Sequence, residues 1–439
     1  MINLFFDSDG IVIYKIGGSA INYFLGLDFG TSGARACVIN AGGEVMWKQH
    51  FVYAKPEIQT PEDWREALHA LLSELPANLA SELQGLTIDG TSGTVLLCDA
   101  TLAPISEVLL YQDQRAKQQA NELKSIAPSG HAVCTATSGL SKFLWLTRQQ
   151  YIEDAAYFLH QADWLSAILG DRAGVTDYHN ALKSGYDVGL LCWPEWVTSL
   201  PYSHLLPEVL VPGEVVSKVK PNMADHFGIN PKCVIHAGTT DSTAAFIASG
   251  VNTAGAGVTS LGTTLVLKQL SKHRIEAPEH GIYSHRYGDL WLVGGASNSG
   301  AGVLRQYFDD AQLDMLSTCI DPSQDSLHDY YPPMKVGERF SLKDARLTHR
   351  LSPRPDDDAE FLHGLLQGLA RIEAAGYAKL AELGAPPIDQ VITNGGGAKN
   401  EIWKVLRERL FGVPVSMAGH SEAAYGSALM CTGIMTRIV

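Results

Sequence analysis

Strands that end in turns of glycine, threonine and serine are the feature of this chain that most constrains its fold. The first apolar strand ends at Asp28, a turn of small residues follows at Gly30–Gly33, and a second apolar strand runs over 34–39. Such a turn lets backbone N–H groups approach an oxyanion, and the hydroxyls of Thr31 and Ser32 add donors. Mg²⁺ prefers one or two carboxylates together with phosphate oxygens and water. The pattern predicts a phosphate-binding turn with a metal anchor at Asp28, unless the aspartate only caps a β-hairpin.

The same theme returns twice along the chain. A strand ending at Asp89 leads into Gly90–Gly93, and a later strand leads into Gly262–Thr264. Amphipathic helices are predicted over 61–75 in the first half and over 356–383 in the second. This alternation indicates an α/β fold, and the similarity between the halves indicates a duplicated domain. Two such domains facing each other would form a cleft, where a small ligand usually binds.

The domain organisation is predicted from the similarity between the two halves. The chain divides into an extension at 1–23, a domain at 24–250 and a domain at 251–439. The extension fits a short strand, a frayed tail or a misassigned start, and the sequence leaves these alternatives open. A Pro-rich stretch at 194–231 is predicted to be an irregular connection, and a polar stretch at 323–354 is predicted to be a surface loop.

Composition and charge limit the partners. A net charge of −14 argues against nucleic acid and against steering of anionic substrates, so a neutral sugar or polyol fits better than a sugar phosphate. No apolar run reaches the roughly 18–20 residues of a membrane span, and 1–23 lacks the regions of a signal peptide. Seven scattered cysteines without a C-x-x-C pair indicate reduced thiols in a cytoplasmic protein, with neither zinc nor disulfides. Monomer and homodimer both stay open.

Six short motifs occur in a fixed order along most of the chain. They are D-x-G-T-x-x-x-R at 28–35, a W-x-D-x-R-like segment at 111–115, K-Φ-x-W-Φ at 142–146, G-x-x-D at 238–241, G-T-T at 262–264 and G-G-G-A-x-N at 395–400. From Phe24 onward the chain resembles the FGGY family of carbohydrate kinases, in the actin-like ATPase superfamily. The resemblance implies an α/β fold of two ribonuclease H-like domains facing each other across a catalytic cleft. It also implies phosphoryl transfer from ATP, with Mg²⁺, to a sugar hydroxyl.

The resemblance assigns the nucleotide side of the site to both halves of the chain. Asp28 would hold Mg²⁺ together with the ATP phosphates. The phosphates would be contacted by Thr31, Ser32, Arg35, Gly262, Thr263 and Thr264. The adenosine would lie against Gly395, Gly396, Gly397, Ala398 and Asn400. On the residues alone, these glycines also suit a tight strand-to-helix turn, and Asn400 also suits a helix cap.

On the sugar side, the resemblance places Asp28, Ser92, Asp113 and Asp241 against the substrate. A sugar hydroxyl is a poor nucleophile, so a carboxylate must take its proton, and the matching residue is Asp241. Asp241 also precedes an apparent helix, where an N-cap role would fix its carboxylate without excluding catalysis. The alternative for Asp113 is a cap beside a solvated Arg115.

Three further residues are interpreted as structural. Lys142 and Trp145 belong to the signature motif, and we interpret them as packing residues. His179 matches a segment that forms a pocket wall in relatives, but a buried, hydrogen-bonded histidine is the simpler interpretation.

The turn at 90–93 bears on the identity of the sugar. Xylulose kinases of the usual type carry a Met-His pair there and glycerol kinases an Arg-Glu pair, whereas this chain has the hydroxyls of Thr91 and Ser92. With the segment at 180–187 and the short length, this turn resembles the cyanobacterial and plant branch that phosphorylates D-ribulose. The expected product is D-ribulose 5-phosphate, with Ser92 bonded to the ketopentose. The alternatives are D-xylulose or another sugar or polyol, a catalytically weak sugar-binding protein, and an actin- or chaperone-type ATPase.

Overall fold

The computed structural model describes residues 2–6, 12–16, 22–342 and 344–433. They form two compact units, of which unit 1 runs to Ala248 and takes in the last helix from Glu422, and unit 2 runs over Ser249–Ser421. The last helix is therefore part of unit 1, whereas the second predicted domain extended to residue 439. In the described ranges, no helix is both long enough and apolar enough to cross a lipid bilayer.

Strands and helices alternate along most of the chain. The strands of unit 1 are β1 (Ile2–Phe6), β2 (Val12–Ile16), β3 (Tyr23–Phe29), β4 (Gly33–Asn40), β5 (Val45–Val52), β6 (Leu83–Gly90), β7 (Val95–Cys98), β8 (Tyr157–His160), β9 (Val175–Asp177), β10 (Glu208–Leu210), β11 (Val215–Lys218) and β12 (Val234–Thr240). Its helices are α1 (Pro61–Ser73), α2 (Ala77–Ala80), α3 (Lys117–Leu123), α4 (Gly139–Leu146), α5 (Gln161–Leu169), α6 (Tyr178–Leu182), α7 (Glu195–Thr198), α8 (Pro221–Phe227) and α9 (Asp241–Ala248). Short 3₁₀ helices lie at Ile152–Asp154 and Ser203–Leu205.

Unit 2 repeats this plan with fewer elements. Its strands are β13 (Ala256–Leu261), β14 (Leu265–Ser271), β15 (Tyr283–Tyr287), β16 (Leu290–Ala296), β17 (Gln390–Asn394) and β18 (Val415–Met417). Its helices are α10 (Asp310–Ser317), α11 (Asp358–Glu382) and α12 (Glu401–Phe411), and α13 (Ala423–Met430) returns to unit 1. Its 3₁₀ helices are Pro278–His280, Ala301–Gln306 and Gly396–Lys399.

The main sheet of unit 1 is mixed, in the order β11-β12-β6-β3-β4-β5. Its three central strands, β12, β6 and β3, are parallel and buried on both faces, whereas the edge strand β5 alternates half-buried and exposed residues. Helix α13 lies directly on β3 at Gly26. This close contact requires glycine, because a Cβ at Gly26 would collide with the carbonyl of Ala424. Helix α1 packs Trp64 and Leu68 into the core and begins with a capping box at Thr60, a device that stabilises a helix by about 1 kcal/mol.

The sheet of unit 2 follows the order β15-β16-β14-β13-β17-β18, with β13, β17 and β18 parallel. The long helix α11 places its apolar face in the core, with Phe361, Leu365 and Leu369 buried. Glu373 of the same helix is fully buried and forms an ion pair of 2.6 Å with Arg407 of α12. Because both charges are paired and hydrogen-bonded, they are tolerated in the core and fix α11 against α12.

Most predicted elements are confirmed, including the helices predicted at 61–75 and 356–383. The prediction of an irregular connection at 194–231 is wrong. That segment contributes β10, β11 and α8 to unit 1, and Val219 and Phe227 are buried in its core. Within the extension, β1 pairs with β2, and residues 1, 7–11 and 17–21 lie outside the described residues.

Candidate active site

The carboxyl ends of three adjacent parallel strands bring the predicted residues of unit 1 together. Strand β3 carries Asp28 near its end, β6 leads into the turn that holds Ser92, and β12 runs into Asp241. Carboxyl ends of parallel strands lie on one edge of a sheet, and that edge is where ligands bind in open α/β folds. In the register of the sheet, Asp28 is opposite Asp89 and Thr240 is opposite Gly90.

Asp28 is buried, and its two carboxylate oxygens differ in environment. Oδ2 accepts a hydrogen bond of 3.3 Å from Nη1 of Arg35, whereas Oδ1 finds no partner among the described residues. Oδ1 of the fully buried Asp89 is likewise without a partner in the part of the chain that the structure describes, while its Oδ2 accepts from Ser427 at 2.5 Å. Burial raises the pKa of Asp28, and burial together with the Asp28 charge raises the pKa of Asp89 well above its usual range.

The first turn, at 30–33, is held by hydrogen bonds to its backbone carbonyls, and its two hydroxyl side chains are exposed. Gly30 N–H bonds to the carbonyl of Gly33 at 3.0 Å, and Nε2 of Gln59 donates to the carbonyl of Thr31 at 2.7 Å. Thr31 and Ser32 are exposed, as is the guanidinium side of Arg35. Glycine is required at 33, because a Cβ there would collide with the carbonyl of Phe51 on the neighbouring strand. The turn therefore presents free hydroxyl and amide donors beside a carboxylate, as a phosphate site requires.

In the second turn, at 90–93, the Thr91 hydroxyl is hydrogen-bonded within the protein and the Ser92 hydroxyl is not. Thr91 donates from its backbone and its hydroxyl to Oε1 of Gln161 at 3.0 Å each, and its hydroxyl contacts that of Thr94 at 2.6 Å. Thr94 Oγ1 in turn accepts from the N–H of Tyr111 at 2.9 Å. The buried hydroxyl of Ser92 alone lacks a hydrogen-bond partner within residues 90–94, all of them described. A buried polar atom of this kind costs free energy unless a ligand satisfies it.

Asp241 is the first residue of α9, so the N-terminal position expected from the sequence is confirmed. Its Oδ1 accepts the N–H of Ser242 at 2.6 Å. The hydroxyls of Thr240 and Thr243 contact each other at 3.0 Å beside it. The carboxylate is half-buried and fixed at the strand-to-helix junction, a placement that suits a group acting on a bound hydroxyl.

Asp113 is bound by Arg115 through the side chain and the backbone. Nε and Nη2 of Arg115 lie 2.9 and 2.8 Å from Oδ2 of Asp113, and the N–H of Arg115 donates to Oδ1 at 2.9 Å. Burial opposes ionisation, but these bonds and the charge of Arg115 outweigh it and lower the pKa of Asp113. Both residues line a cavity of about 380 Å³ in unit 1, together with Gln59, which also holds the first turn. The helix cap predicted as an alternative is absent, because α3 starts after Ala116 without a side-chain cap, whereas Asp113 closes a local turn with Arg115 and faces the cavity.

His179 is buried, and its Nδ1 lies 2.7 Å from Oγ1 of Thr239, as the structural interpretation predicted. Asp177 accepts the N–H groups of His179 and Asn180 and caps helix α6. Burial raises the pKa of Asp177 to about 7. These residues form a polar core beneath the end of β12.

Unit 2 contains a cavity of about 390 Å³ at the carboxyl ends of β13 and β17. Its lining includes Gly262, Thr263, Gly396, Gly397 and Asn400 of the predicted set. Thr264, Gly395 and Ala398 of the same set lie outside the lining. The lining also includes Arg305, Asp310, Asp314 and Trp403, which the sequence did not single out.

The three glycines of the second loop have different roles. Gly395 has φ +86°, and a Cβ there would lie 2.7 Å from the carbonyl of Leu261. A Cβ at Gly397 would lie 2.7 Å from the ring of Trp403. Around Gly396 the described chain leaves open space, with no atom within 4 Å of such a Cβ. Protein packing therefore explains Gly395 and Gly397 without a ligand, whereas the space around Gly396 is open.

Asn400 is the N-cap of α12. Its Oδ1 accepts the N–H of Trp403 at 2.9 Å, and its Nδ2 donates to Oγ of Ser317 at 2.8 Å. The helix-cap alternative from the sequence is therefore present in the structure, with both ends of the side chain engaged.

Two residues of the unit 1 site were missed by sequence reasoning. Asp89 occupies the position before a Gly-Thr-Ser turn that Asp28 occupies in the first repeat, and this correspondence was the available signal. Gln59 holds the first turn from a distant loop, and nothing in the sequence around it indicates that contact.

Comparison with known proteins defines the class of enzyme. Models of the FGGY family of carbohydrate kinases match the chain in two parts, the N-terminal domain over residues 23–248 and the C-terminal domain over residues 257–433. Together with the fold, these matches define an ATP-dependent sugar kinase. The chain belongs to the FGGY family of carbohydrate kinases.

Individual relatives agree with this assignment. A gluconokinase from Bacillus subtilis (strain 168) is 22% identical over 431 residues, which cover 89% of this chain and 83% of the relative. A xylulose kinase from Streptomyces coelicolor is 26% identical over 437 residues, covering 94% and 88%. The solved xylulose kinase from Rhodospirillum rubrum matches with a TM-score of 0.79 at 20% identity, covering 93% of this chain and 89% of that one. The shared fold is the two-domain α/β fold of actin-like ATPases, with mixed sheets in both units.

Proposed function

We propose that this kinase phosphorylates a ketopentose, with D-ribulose as substrate and D-ribulose 5-phosphate as product. The observation that carries the proposal is the edge formed by β3, β6 and β12, where Asp28, Ser92 and Asp241 end three adjacent strands. Two carboxylates and an unsatisfied hydroxyl at one edge suit a ligand rich in hydroxyl groups. A large part of affinity and specificity for such a ligand comes from hydrogen bonds at defined positions.

Asp241 acts in this proposal as the general base. It takes the proton of the attacking sugar hydroxyl as the bond to the γ-phosphorus forms and the bond from phosphorus to the leaving oxygen of ADP breaks. Its hydrogen bond from Ser242 and its position at the start of α9 hold the carboxylate in place. Thr31, Ser32 and Arg35 bind phosphate oxygens and neutralise the charge that develops on them.

Asp28 is proposed as the anchor for Mg²⁺. Its Oδ1 is buried with no partner apart from the neighbouring Asp89 carboxyl among the described residues, and a carboxylate oxygen is the donor that Mg²⁺ prefers. When bound, Mg²⁺ neutralises charge on the phosphates. The pKa of the neighbouring Asp89 is raised by burial and by the Asp28 charge, so a cation bound here would favour the ionised form of this second carboxyl.

The nucleotide is proposed to bind at the cavity of unit 2. Gly262 and Thr263 lie at its phosphate end by the motif, and Gly396 has the open space that a flat base or ribose requires. Thr264, Gly395, Gly397, Ala398 and Asn400 are kept as predicted contacts of the phosphates or adenosine. Packing and capping account for Gly395, Gly397 and Asn400 without a ligand, so Gly396 is the stronger assignment.

Two alternative sugars come from the relatives, which include xylulose kinases and gluconokinases. Gluconate is an anion, and the net charge of −14 with Asp28, Asp89, Asp113 and Asp241 in unit 1 disfavours it. D-Xylulose differs from D-ribulose in the configuration of one carbon. The choice between them therefore depends on which sugar hydroxyls Ser92 and Asp113 can hydrogen-bond. A site that bonds each hydroxyl rejects an epimer strongly, because the mismatch leaves a buried group unpaired.

A panel of substrates tests the proposal. ADP release with Mg-ATP is measured for D-ribulose, D-xylulose, L-ribulose, D-gluconate and glycerol. We expect the highest kcat/KM for D-ribulose. A higher value for another sugar would overturn the substrate but keep the kinase chemistry. No sugar-dependent release, with ATP still bound, would favour the catalytically weak sugar-binding protein.

A further inference from the structure

Lys142 lies on α4, within the signature motif, and is fully buried. Its Nζ donates to the carbonyl of Gly93 at 2.6 Å and to the carbonyl of Leu110 at 2.7 Å. Gly93 follows Ser92 directly, and Leu110 lies three residues before Asp113. The Lys142 amino group therefore joins the turn after β6, which carries Ser92, to the segment that carries Asp113.

Trp145 lies one helical turn further along α4. The guanidinium carbon of Arg115 lies 5.1 Å from the centre of the Trp145 ring, within the range of a cation–π contact. Arg115 binds Asp113 through two nitrogens and also pairs with Glu107. Because residues three apart share a face of a helix, Lys142 and Trp145 act on the same side of α4.

We propose that α4 is a positioning element for sugar recognition, in which Lys142 sets the Ser92 turn and Trp145 sets Asp113 through Arg115. This inference rests on the proposed function, since it assigns Ser92 and Asp113 to the sugar. It revises the interpretation of Lys142 and Trp145 as packing residues alone.

The contacts of the two segments support this role over general packing. The turn is fixed at Thr91 by Gln161, at Gly93 by Lys142 and at Thr94 by Tyr111, whereas Ser92 Oγ has no hydrogen-bond partner within this described stretch. Gly93 has φ +79°, a left-handed backbone conformation that glycine adopts without strain. Burying the Lys142 amino group costs free energy, which its two carbonyl acceptors only partly offset. Lys142 holds the turn next to Ser92, where a displacement of the Ser92 hydroxyl would change sugar binding.

The test compares Lys142→Met with a matched control, Lys220→Met. Nζ of Lys220 also donates to two carbonyls, of Ala167 and Ile168 at 3.0 and 3.2 Å, but away from the proposed site. With the best substrate of the panel, we expect K142M to raise the sugar KM about tenfold while kcat and the ATP KM change less than about twofold. K220M lowers the melting temperature and leaves the sugar KM within about twofold of the unmodified enzyme.

Ser92→Ala separates this inference from the proposed function. If S92A raises the sugar KM and K142M behaves like K220M, the positioning role is wrong and the proposed site stands. If S92A has no effect on the sugar KM, the proposed site is wrong and the inference fails with it. In the double variant S92A/K142M we expect less than the product of the two increases, because Lys142 acts partly through Ser92. The full product would contradict that coupling.

Trp145 provides a second route if K142M does not fold. We expect Trp145→Phe to keep the sugar KM within about twofold, since a ring remains beneath Arg115, and Trp145→Leu to raise it about threefold or more. Equal values for the two variants would remove Trp145 from the proposal.

Discussion

Asp28 and Asp89 lie side by side on the adjacent parallel strands β3 and β6, close enough for a hydrogen bond between their carboxyl groups, and the Oδ1 atom of each has no other partner in the described ranges. Two buried carboxylates side by side repel each other when both are ionised, so the pair favours either a shared proton or a cation. Arg35 compensates one carboxylate and the hydroxyl of Ser427 the other. The pair is therefore suited to hold a proton or a cation where the proposed metal binds.

Asp89→Asn tests the electrostatics of this pair in the absence of Mg²⁺. Burial is the main cause of the raised pKa of Asp89, followed by the charge of Asp28, with Asp241 adding to it. A raised pKa means that the folded state binds more protons, so the stability from this group is present at low pH and lost as pH rises. We expect D89N to gain in urea midpoint relative to the unmodified protein between about pH 5 and about pH 8.

The control for that change is Ser427→Ala, which removes the hydroxyl donor to Asp89 and should lower the urea midpoint instead. A difference between D89N and the unmodified protein that does not vary with pH would contradict the assignment of the raised pKa to Asp89.

Asp241→Asn removes the proposed base while keeping an oxygen that can accept the N–H of Ser242. We expect kcat to fall by about 10²- to 10⁴-fold, and the Kd of ATP to stay within about twofold. Stopped assays of ADP and titration calorimetry with ATP measure the two quantities. Asp99→Asn is the control, since Asp99 is half-buried and accepts the N–H of Thr101 within its own turn. Retention of more than about a tenth of kcat in D241N would exclude the base role.

Gly396→Ala and Gly395→Ala separate a ligand-facing glycine from a structural one. The space around Gly396 predicts that G396A folds with a stability change below about 0.5 kcal/mol, while the methyl group raises the ATP KM roughly five- to tenfold. Gly395 has φ +86° and abuts Leu261, so G395A should lose about 1–2 kcal/mol or more of stability. Thermal unfolding and ATP kinetics check both, and an unchanged ATP KM in G396A would move the nucleotide elsewhere.

Lys142 gives a pH signature of its own. Burial is the main cause that lowers its pKa from 10.5 to about 7, with Asp113 opposing and Lys183 and Arg115 adding. Between about pH 7 and 10.5 the unfolded chain binds more protons at this residue, so its contribution to stability rises with pH and is lost as pH falls through the folded value. The urea midpoint of the unmodified protein minus that of K142M should therefore increase from about pH 7 to about pH 9.5. A constant difference over that range would contradict the lowered pKa.

Local patterns allowed most elements to be predicted, because each combines a periodic apolar face with clear end signals. Helix α1 has Thr60 and Pro61 at its start, and α11 has an apolar face over most of its length. The segment at 194–231 failed for a physical reason. Its prolines suggested an irregular chain, but β11 is an edge strand whose stability comes from pairing with β12, and that pairing is a tertiary property.

The sequence by itself determined the family, the turns and the residue types of the site. Small residues after an apolar strand, in six ordered motifs, indicated phosphate turns, because a backbone without bulky side chains can approach an anion. Only the tertiary structure decided which groups are left unsatisfied. Whether Ser92 Oγ is free, or Asp89 faces Asp28, depends on the register of distant strands and on partners such as Gln161 and Ser427. Hydrogen-bond satisfaction is a property of the packed chain, and local sequence does not contain it.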